Sequence, residues 1–371
     1  MPLRNAVLAS VVALLTLVAS LVALRHLAPR LVGAPTEVAI VQSSEQVPPF
    51  YENVFAHAGT SEAVRDPVTV VREPGLQRAR PDAGPTDLLG FRNEGVPNAA
   101  AVVVIGDSQT YGLGVALADS WAQRLRAVLG PRAAGLYNMS GNGWGPTQYT
   151  AMAPYAAKLH PKVVLVAYYT GNDPHDAFTQ AYNNPLWKRL RVSTTLTAAD
   201  QPPVVWPVPD SDRWVARFRN GYETAFTPEY RRATNDRRHP GVREGYDILA
   251  KTATVIARSL EGTGARVLFT VIPTKELVYA PLVKAEGLKA PPAYEALVAD
   301  ETQNAAELAD RLRGMRLGGY AEVTSALQEA ALAGKALYPS GTDGHPSAIG
   351  HEVLAAALAR AVAEALASPA R

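Results

Sequence analysis

The chain contains no cysteine. That excludes disulfides, thiolate zinc sites and a cysteine nucleophile. It fits a reducing or an oxidising compartment equally well. Charge of one sign is also scarce: 36 basic against 34 acidic residues leave a net charge of +2. So small an excess argues against nucleic acid or an anionic surface as the main partner. The Arg-rich stretch from Arg213 to Arg243 is interleaved with Asp, Glu, Trp and Tyr and reads as a solvated face. Long apolar runs are rare as well. Only Ala6 to Leu24, "AVLASVVALLTLVASLVAL", is uncharged for long enough, bracketed by Arg4 and Arg25. A bilayer core takes about 20 apolar residues as helix, and no small-residue cleavage site follows. The expectation is an uncleaved single-pass anchor over residues 1–30. Arg4 and the amino terminus compete with Arg25, His26 and Arg30 in setting its orientation.

What remains has ordinary globular composition, with 47% hydrophobic and 19% charged residues among 371. Between 31 and 98, "TEVAIVQ" and "PVTVVREP" read as short strands among Pro and Gly, a small β-rich lead-in. From Ala99 the pattern becomes regular. "AAAVVVIG", "AGLYNMS", "PKVVLVAYY", "ARVLFTVIP" and a segment near Tyr320 read as five strands. The longer ones are continuous apolar runs, as in strands covered on both faces. Between them lie helices over "DSWAQRLRAVLGP", from Pro146 to about Leu159, from Val242 to Leu260, from Pro292 to Arg313, and from Pro346 to Ala367. Alternation of this kind predicts an α/β fold, a three-layer α/β/α sandwich around a parallel sheet, over residues 99–371. The stretch 179–240 is rich in Pro, Trp and Arg with little periodicity and reads as a long insertion. Its aromatics Trp187, Trp206, Trp214, Tyr222 and Tyr230 read as packing residues, with a stacking surface as the other reading.

The chemistry gathers where strands end. The first strand stops at Gly106-Asp107-Ser108. A serine hydroxyl is a weak nucleophile without a base in reach, and histidine, with a pKa of about 6.5, is the usual one. Of seven histidines, His26 adjoins the anchor and His57 lies in the lead-in. His160 and His239 stand at segment ends before prolines. His175 follows the third strand and competes for the role. His345 has the strongest case, because Asp343 lies two residues away on a tight loop formed by Gly341, Gly344 and Pro346. A carboxylate there can hold one ring nitrogen and leave the other for the serine. His351, inside the helical pattern beside Gly350, reads as a packing or hydrogen-bonding residue. Acyl chemistry also needs N–H donors for an oxyanion. Ser108 offers its own amide. "NMSGNGWGPTQ" after the second strand brings backbone close, and Asn172 in "YYTGNDPHD" after the third carries a side-chain amide.

The order of these blocks, "GDSQTYG", "NMSGNGWG", "YTGND" and "DGHPSAIGH", resembles the SGNH/GDSL hydrolase family. The resemblance runs from about Ala99 to the C-terminus, interrupted by the insertion. It implies a flavodoxin-like sheet, Ser108 as nucleophile, His345 as base and Asp343 as its orienting acid. It also implies an oxyanion hole made of the Ser108 and Gly143 amides and the Asn172 side chain. The Asp-x-His spacing resembles the branch related to alginate O-acetyltransferases rather than the Asp-x-x-His of much of the family. No cofactor and no metal are implied.

The reading that follows is a serine esterase acting on an ester-bearing small molecule, lipid or glycan, with the domain on the extracytoplasmic side. Two alternatives stay open. One is a polysaccharide O-acyltransferase, which implies a multi-spanning acyl-donor partner. The other is a catalytically silent, membrane-tethered binding domain. Other motifs weigh little. "NMS" at Asn138 formally fits a glycosylation acceptor but falls in the proposed site. Asp173, Asp176 and His175 lack a further ligand group for a metal. Lys275 and Glu276, after the fourth long run, either line the cleft or face solvent.

Overall fold

The computed structural model describes residues 84–368. The apolar run Ala6–Leu24 and the two short runs of the lead-in lie outside them. Among the described residues, no helix is long and apolar enough to cross a membrane. The lead-in was expected to be β-rich; its described part, 84–98, forms turns and bends with no strand.

Strands β1 (Val102–Ile105), β2 (Tyr137–Asn138), β3 (Val163–Tyr169), β6 (Arg266–Ile272) and β7 (Gly318–Tyr320) form one sheet. Its order is β2-β1-β3-β6-β7, and every pairing is parallel. Two remaining strands, β4 (Trp214–Arg217) and β5 (Glu223–Phe226), make a separate antiparallel hairpin inside the insertion. The helices are α1 (Ser108–Tyr111), α2 (Trp121–Leu129), α3 (Pro146–Ala157), α4 (Asp173–Asn183), α5 (Pro228–Ala233), α6 (Pro240–Ser259), α7 (Lys275–Glu286), α8 (Pro292–Arg313), α9 (Thr324–Leu332) and α10 (Ala348–Ala367).

The continuous apolar runs are explained by two cores. Val103, Ile105, Val164, Val166 and Phe269 face α3, α4, α6 and α8 through Met152, Phe178, Ile248 and Leu308. Val102, Val104, Val163 and Leu165 face α2, α7, α9 and α10 through Trp121, Tyr279, Leu327 and Leu354. Successive strand residues point to opposite faces, so a strand covered twice has no polar positions to spare. Each Val or Leu so buried contributes about 1.5–3 kcal/mol by leaving water. These helices and the sheet form the three-layer sandwich.

Because all five strands run the same way, the loops after β1, β2, β3 and β6 share one edge. Strand order reverses between β1 and β3, and ligand sites of open α/β sheets form at such a switch point. Ser108 follows β1 and Asn172 follows β3.

Five helices differ from the sequence expectation. The segments of α1, α4, α5, α7 and α9 were not read as helical, and α7 has Pro281 in its interior, a residue that ordinarily ends a helical pattern. The final helix starts at Ala348 rather than Pro346, capped by the Ser347 hydroxyl, which accepts from the Gly350 N–H. The insertion is more ordered than its composition suggests. Trp214 packs on Phe226 and Tyr294 at ring-centroid distances of 5.3 and 4.8 Å. Trp187 is buried, and Tyr222 stacks on Phe218. Trp206, in contrast, is 77% exposed.

Candidate active site

The chain leaves β1 through Gly106, where a Cβ would stand 2.2 Å from the Thr110 hydroxyl oxygen. Only glycine lets the next helical turn fold back so closely onto the strand. Asp107 caps that turn, its Oδ1 accepting from the Gln109 N–H at 2.9 Å. Ser108 is thereby the first helical residue, with an N–H that has no partner inside its own helix. The far end of the turn is held by Arg92, which is fully buried. Its Nη1 donates to the Gly112 and Tyr111 carbonyls, and its Nη2 to Val115 and Gly84. A cation gathering carbonyls at a helical C-terminus is favourable. Neighbouring Asn93 pairs with both backbone groups of Asn138 at 3.0 Å, continuing the hydrogen bonding of the short edge strand β2. The lead-in segment 84–98 therefore braces the turn that carries Ser108.

Asp343 and His345 come from the loop before α10. His345 Nδ1 lies 2.6 Å from Asp343 Oδ1, and the His345 N–H donates to the same oxygen at 3.0 Å. On the other side, His345 Nε2 lies 2.8 Å from Ser108 Oγ. An ionised Asp343 can only accept, so Nδ1 carries the hydrogen and the Nε2 lone pair accepts from the serine. Burial raises the Asp343 pKa, but the bonds from His345, its charge and that of Lys275 outweigh it and hold the carboxyl below its ordinary range. The imidazole is 24% exposed and the carboxylate 49%, so the pair lies at the surface of the cleft rather than beneath it.

Opposite stand the expected oxyanion donors. Gly143 is exposed, with φ +72° and open space where a Cβ would be. The Asn172 amide donates one hydrogen to Asp176 Oδ2 at 2.7 Å. An amide nitrogen carries two, which leaves the second for a ligand, with Asp176 fixing the rotamer. His175, the competing base, turns away. It meets Asp176 at 3.2 Å and Gln201 at 3.3 Å, on the insertion side. Asp173 does not converge with them as a metal group; it accepts from the Tyr169 N–H and the Tyr149 hydroxyl. Asn138, of the formal glycosylation motif, is buried and donates to the Thr110 carbonyl. His351 is buried, its Nδ1 accepting from the Trp121 N–H at 3.2 Å. Burial pushes its pKa down to about 3.

The burial of several charged residues near the site was not legible in the sequence. Asp107 is pushed up to about 7, chiefly by burial, and Asp173 is raised by burial and by the charge of Asp107. Lys275 proves to be buried, not solvent-facing. Its Nζ donates to the carbonyls of Gly341 at 2.8 Å and Asp343 at 3.1 Å, tying down the loop that carries Asp343 and His345. Burial is the main reason its pKa falls to about 8. Glu276 is buried too and accepts from the Thr227 N–H. The insertion shares in this support. Ala225 N–H donates to the Ser340 carbonyl, and the hydroxyls of Thr224 and Tyr222 donate to the Pro339 and Tyr338 carbonyls. Arg231, read as part of a solvated face, instead donates to the Gly171 carbonyl at 3.0 Å. A buried cation at a carbonyl cluster has no local pattern, because its partners come from loops distant in sequence.

No family profile matches the chain, and no curated protein matches its sequence. Among solved structures it is similar to a lipolytic protein of the G-D-S-L family from Desulfitobacterium hafniense, at 10% identity over 70% of this chain and 97% of that one, with a TM-score of 0.36. It is similar to an acetylxylan esterase from Geobacillus stearothermophilus, at 14% identity over 72% and 95%, with a TM-score of 0.37. A salicylyl-acyltransferase from a tetracycline biosynthetic pathway matches at 14% identity over 76% of this chain and 59% of that one, with a TM-score of 0.37. Likeness of this degree carries no inference about chemistry, which rests on the geometry of the site.

Proposed function

We propose that the chain is a serine acyl hydrolase, in which Ser108 is the nucleophile, His345 the general base and Asp343 its orienting acid. The observation that carries this reading is the unbroken hydrogen-bonded line from Ser108 Oγ through both ring nitrogens of His345 to Asp343, at 2.8 and 2.6 Å. A neutral imidazole so held accepts the serine proton on Nε2 while Oγ bonds to the ester carbonyl carbon. Negative charge moves to the carbonyl oxygen, where the Ser108 and Gly143 amides and the second Asn172 hydrogen would receive it. His345 then returns its proton to the departing alkoxide, and the C–O bond breaks. Water attacks the acyl-serine, gives its proton to Nε2, and the acid leaves as that proton goes back to Ser108. Transfer to a sugar hydroxyl differs only in the second nucleophile. The uncharged run Ala6–Leu24 supports a tethered enzyme, and its placement together with the family resemblance of the motif blocks is the ground for putting the domain on the extracytoplasmic side.

The experiment is labelling with a serine-directed fluorophosphonate, read by mass spectrometry, alongside hydrolysis of p-nitrophenyl acetate. Label on the Ser108 peptide, lost together with turnover in Ser108→Ala, is the expected result. Unchanged label or unchanged turnover in that variant removes the proposal. Acetyl appearing on an added oligosaccharide faster than acetate in solution selects the transferase over the hydrolase.

A further inference from the structure

We propose that Arg231 forms a subsite beside the Ser108–His345 pair for an anionic oxygen, a carboxylate or phosphate carried by the ester. This deepens the hydrolase reading and rests on it. Arg231 comes from α5 in the insertion, yet its guanidinium reaches the catalytic edge. Its Nη1 donates to the carbonyl of Gly171, the residue before Asn172, at 3.0 Å. Its Nη2 lies 2.7 Å from where a Cβ on Gly344 would stand, and Gly344 separates Asp343 from His345. One cation therefore touches both the loop that offers the oxyanion amide and the loop that carries the acid and the base. The missing Cβ of Gly344 is what makes room for it.

Its charge is not spent on an ion pair. The next residue, Arg232, pairs with Glu229 and Asp236, whereas no ion pair among the described residues includes Arg231. It is flanked instead by ring faces, with Cζ 5.6 Å from the Tyr169 centroid and 5.0 Å from that of Tyr230. Glu276 and Glu301 act on it only at longer range, and each is hydrogen-bonded elsewhere: Glu276 to the Thr227 N–H, Glu301 to Thr170 and Thr274. Arg231 is half-buried. Its remaining N–H groups are not among the buried atoms left without partners, unlike Nε of Arg232, so they are open to solvent. The Tyr169 hydroxyl, buried and without a hydrogen-bond partner, lies 3.2 Å from the same point beside Gly344. A brace for Gly171 alone uses one of five guanidinium hydrogens. A planar fork with free donors, partly desolvated and uncompensated, is suited to an oxyanion from outside.

The test compares kcat/KM of the full chain for two esters of similar size, p-nitrophenyl butyrate and the mono-p-nitrophenyl ester of succinic acid, with inorganic phosphate as an inhibitor of butyrate turnover. The wild-type chain is expected to prefer the succinyl ester or to be inhibited competitively by phosphate. Arg231→Met then lowers that preference, or weakens that inhibition, about tenfold to a hundredfold, the worth of a charge-assisted hydrogen bond. Arg231→Lys falls between, since an ammonium keeps the charge and loses the fork. Loss of the Gly171 brace slows both esters alike and cancels in the ratio. Arg231→Lys carries the same comparison if Arg231→Met does not fold. A succinyl-to-butyryl ratio and a phosphate inhibition that are both indifferent to Arg231 overturn the proposal. If neither ester turns over and no phosphonate label appears, the hydrolase reading has failed first, and this subsite falls with it.

Discussion

His345 and His351 lie six residues apart around one helix start and have opposite fates. His345 stands on the loop, 24% exposed, with a carboxylate on one ring nitrogen and a hydroxyl on the other. His351 lies one turn inside α10, fully buried, its Nδ1 accepting from the Trp121 N–H and its Nε2 without a hydrogen-bond partner among the described residues. The first environment holds one ring nitrogen on Asp343 and leaves the other on the serine. The second penalises the charged ring so strongly that its pKa sits near 3. What separates two residues of the same type is the company each keeps, which here depends on whether the helix has yet begun.

The comparison breaks most visibly at the catalytic side. His345→Gln and Ser108→Ala should each lower kcat/KM for p-nitrophenyl acetate by about four orders of magnitude or more, with the unfolding temperature unchanged. His351→Gln should stay within about tenfold, a limit set by loss of packing rather than chemistry. Equal losses at the two positions would mean that the loop histidine is not the base. Next in size, Asn172→Ala removes one oxyanion donor and should slow turnover about a hundredfold to a thousandfold. Near-normal turnover would take Asn172 out of the site.

His351→Ala acts on stability instead. It strands the buried Trp121 N–H and should cost about 2 kcal/mol in chemical denaturation. Acid sharpens this contrast. Burial depresses the His351 pKa from 6.5 to about 3, so across that window the unfolded chain binds the proton that the folded chain refuses. Wild-type stability therefore falls as pH drops through the window, and His351→Gln should lose that component of the slope.

The smallest effect belongs to Lys275, depressed by burial from 10.5 to about 8. Between those values the unfolded chain again holds the extra proton, so stability gains a component that rises with pH. Lys275→Met should lack it and should lower kcat about tenfold, as the Asp343 loop loses its two carbonyl contacts. A variant with normal kcat would show that the loop holds itself in place.

Much of the architecture was legible in the chain. The runs "VVVI" and "VVLVAYY" have no polar positions because both faces of those strands are covered, and that pattern survives in one sequence. Helices α2, α3, α6, α8 and α10 came from spacing, caps and prolines. An interior proline is not what hid α7, since α3 carries Pro154 inside it as α7 carries Pro281. Ser108, Asp343 and His345 could be picked out because they stand in short, local motifs. Arg92 and Arg231 could not, and Lys275 was named without its side being fixed, since a charged residue is ordinarily solvated.

From residue order alone come the alternation of strands and helices, the shared edge at which their loops end, and the types of group placed there. Only tertiary structure decides which histidine meets the serine, and that three cations turn inward to brace or flank the loops of the site. The reason is range. Hydrophobic periodicity and capping act over a few neighbouring residues. The contacts of Arg92 with Gly112, Lys275 with Asp343 and Arg231 with Gly171 span 20, 68 and 60 positions, and they exist only after the two cores have set the sheet in place.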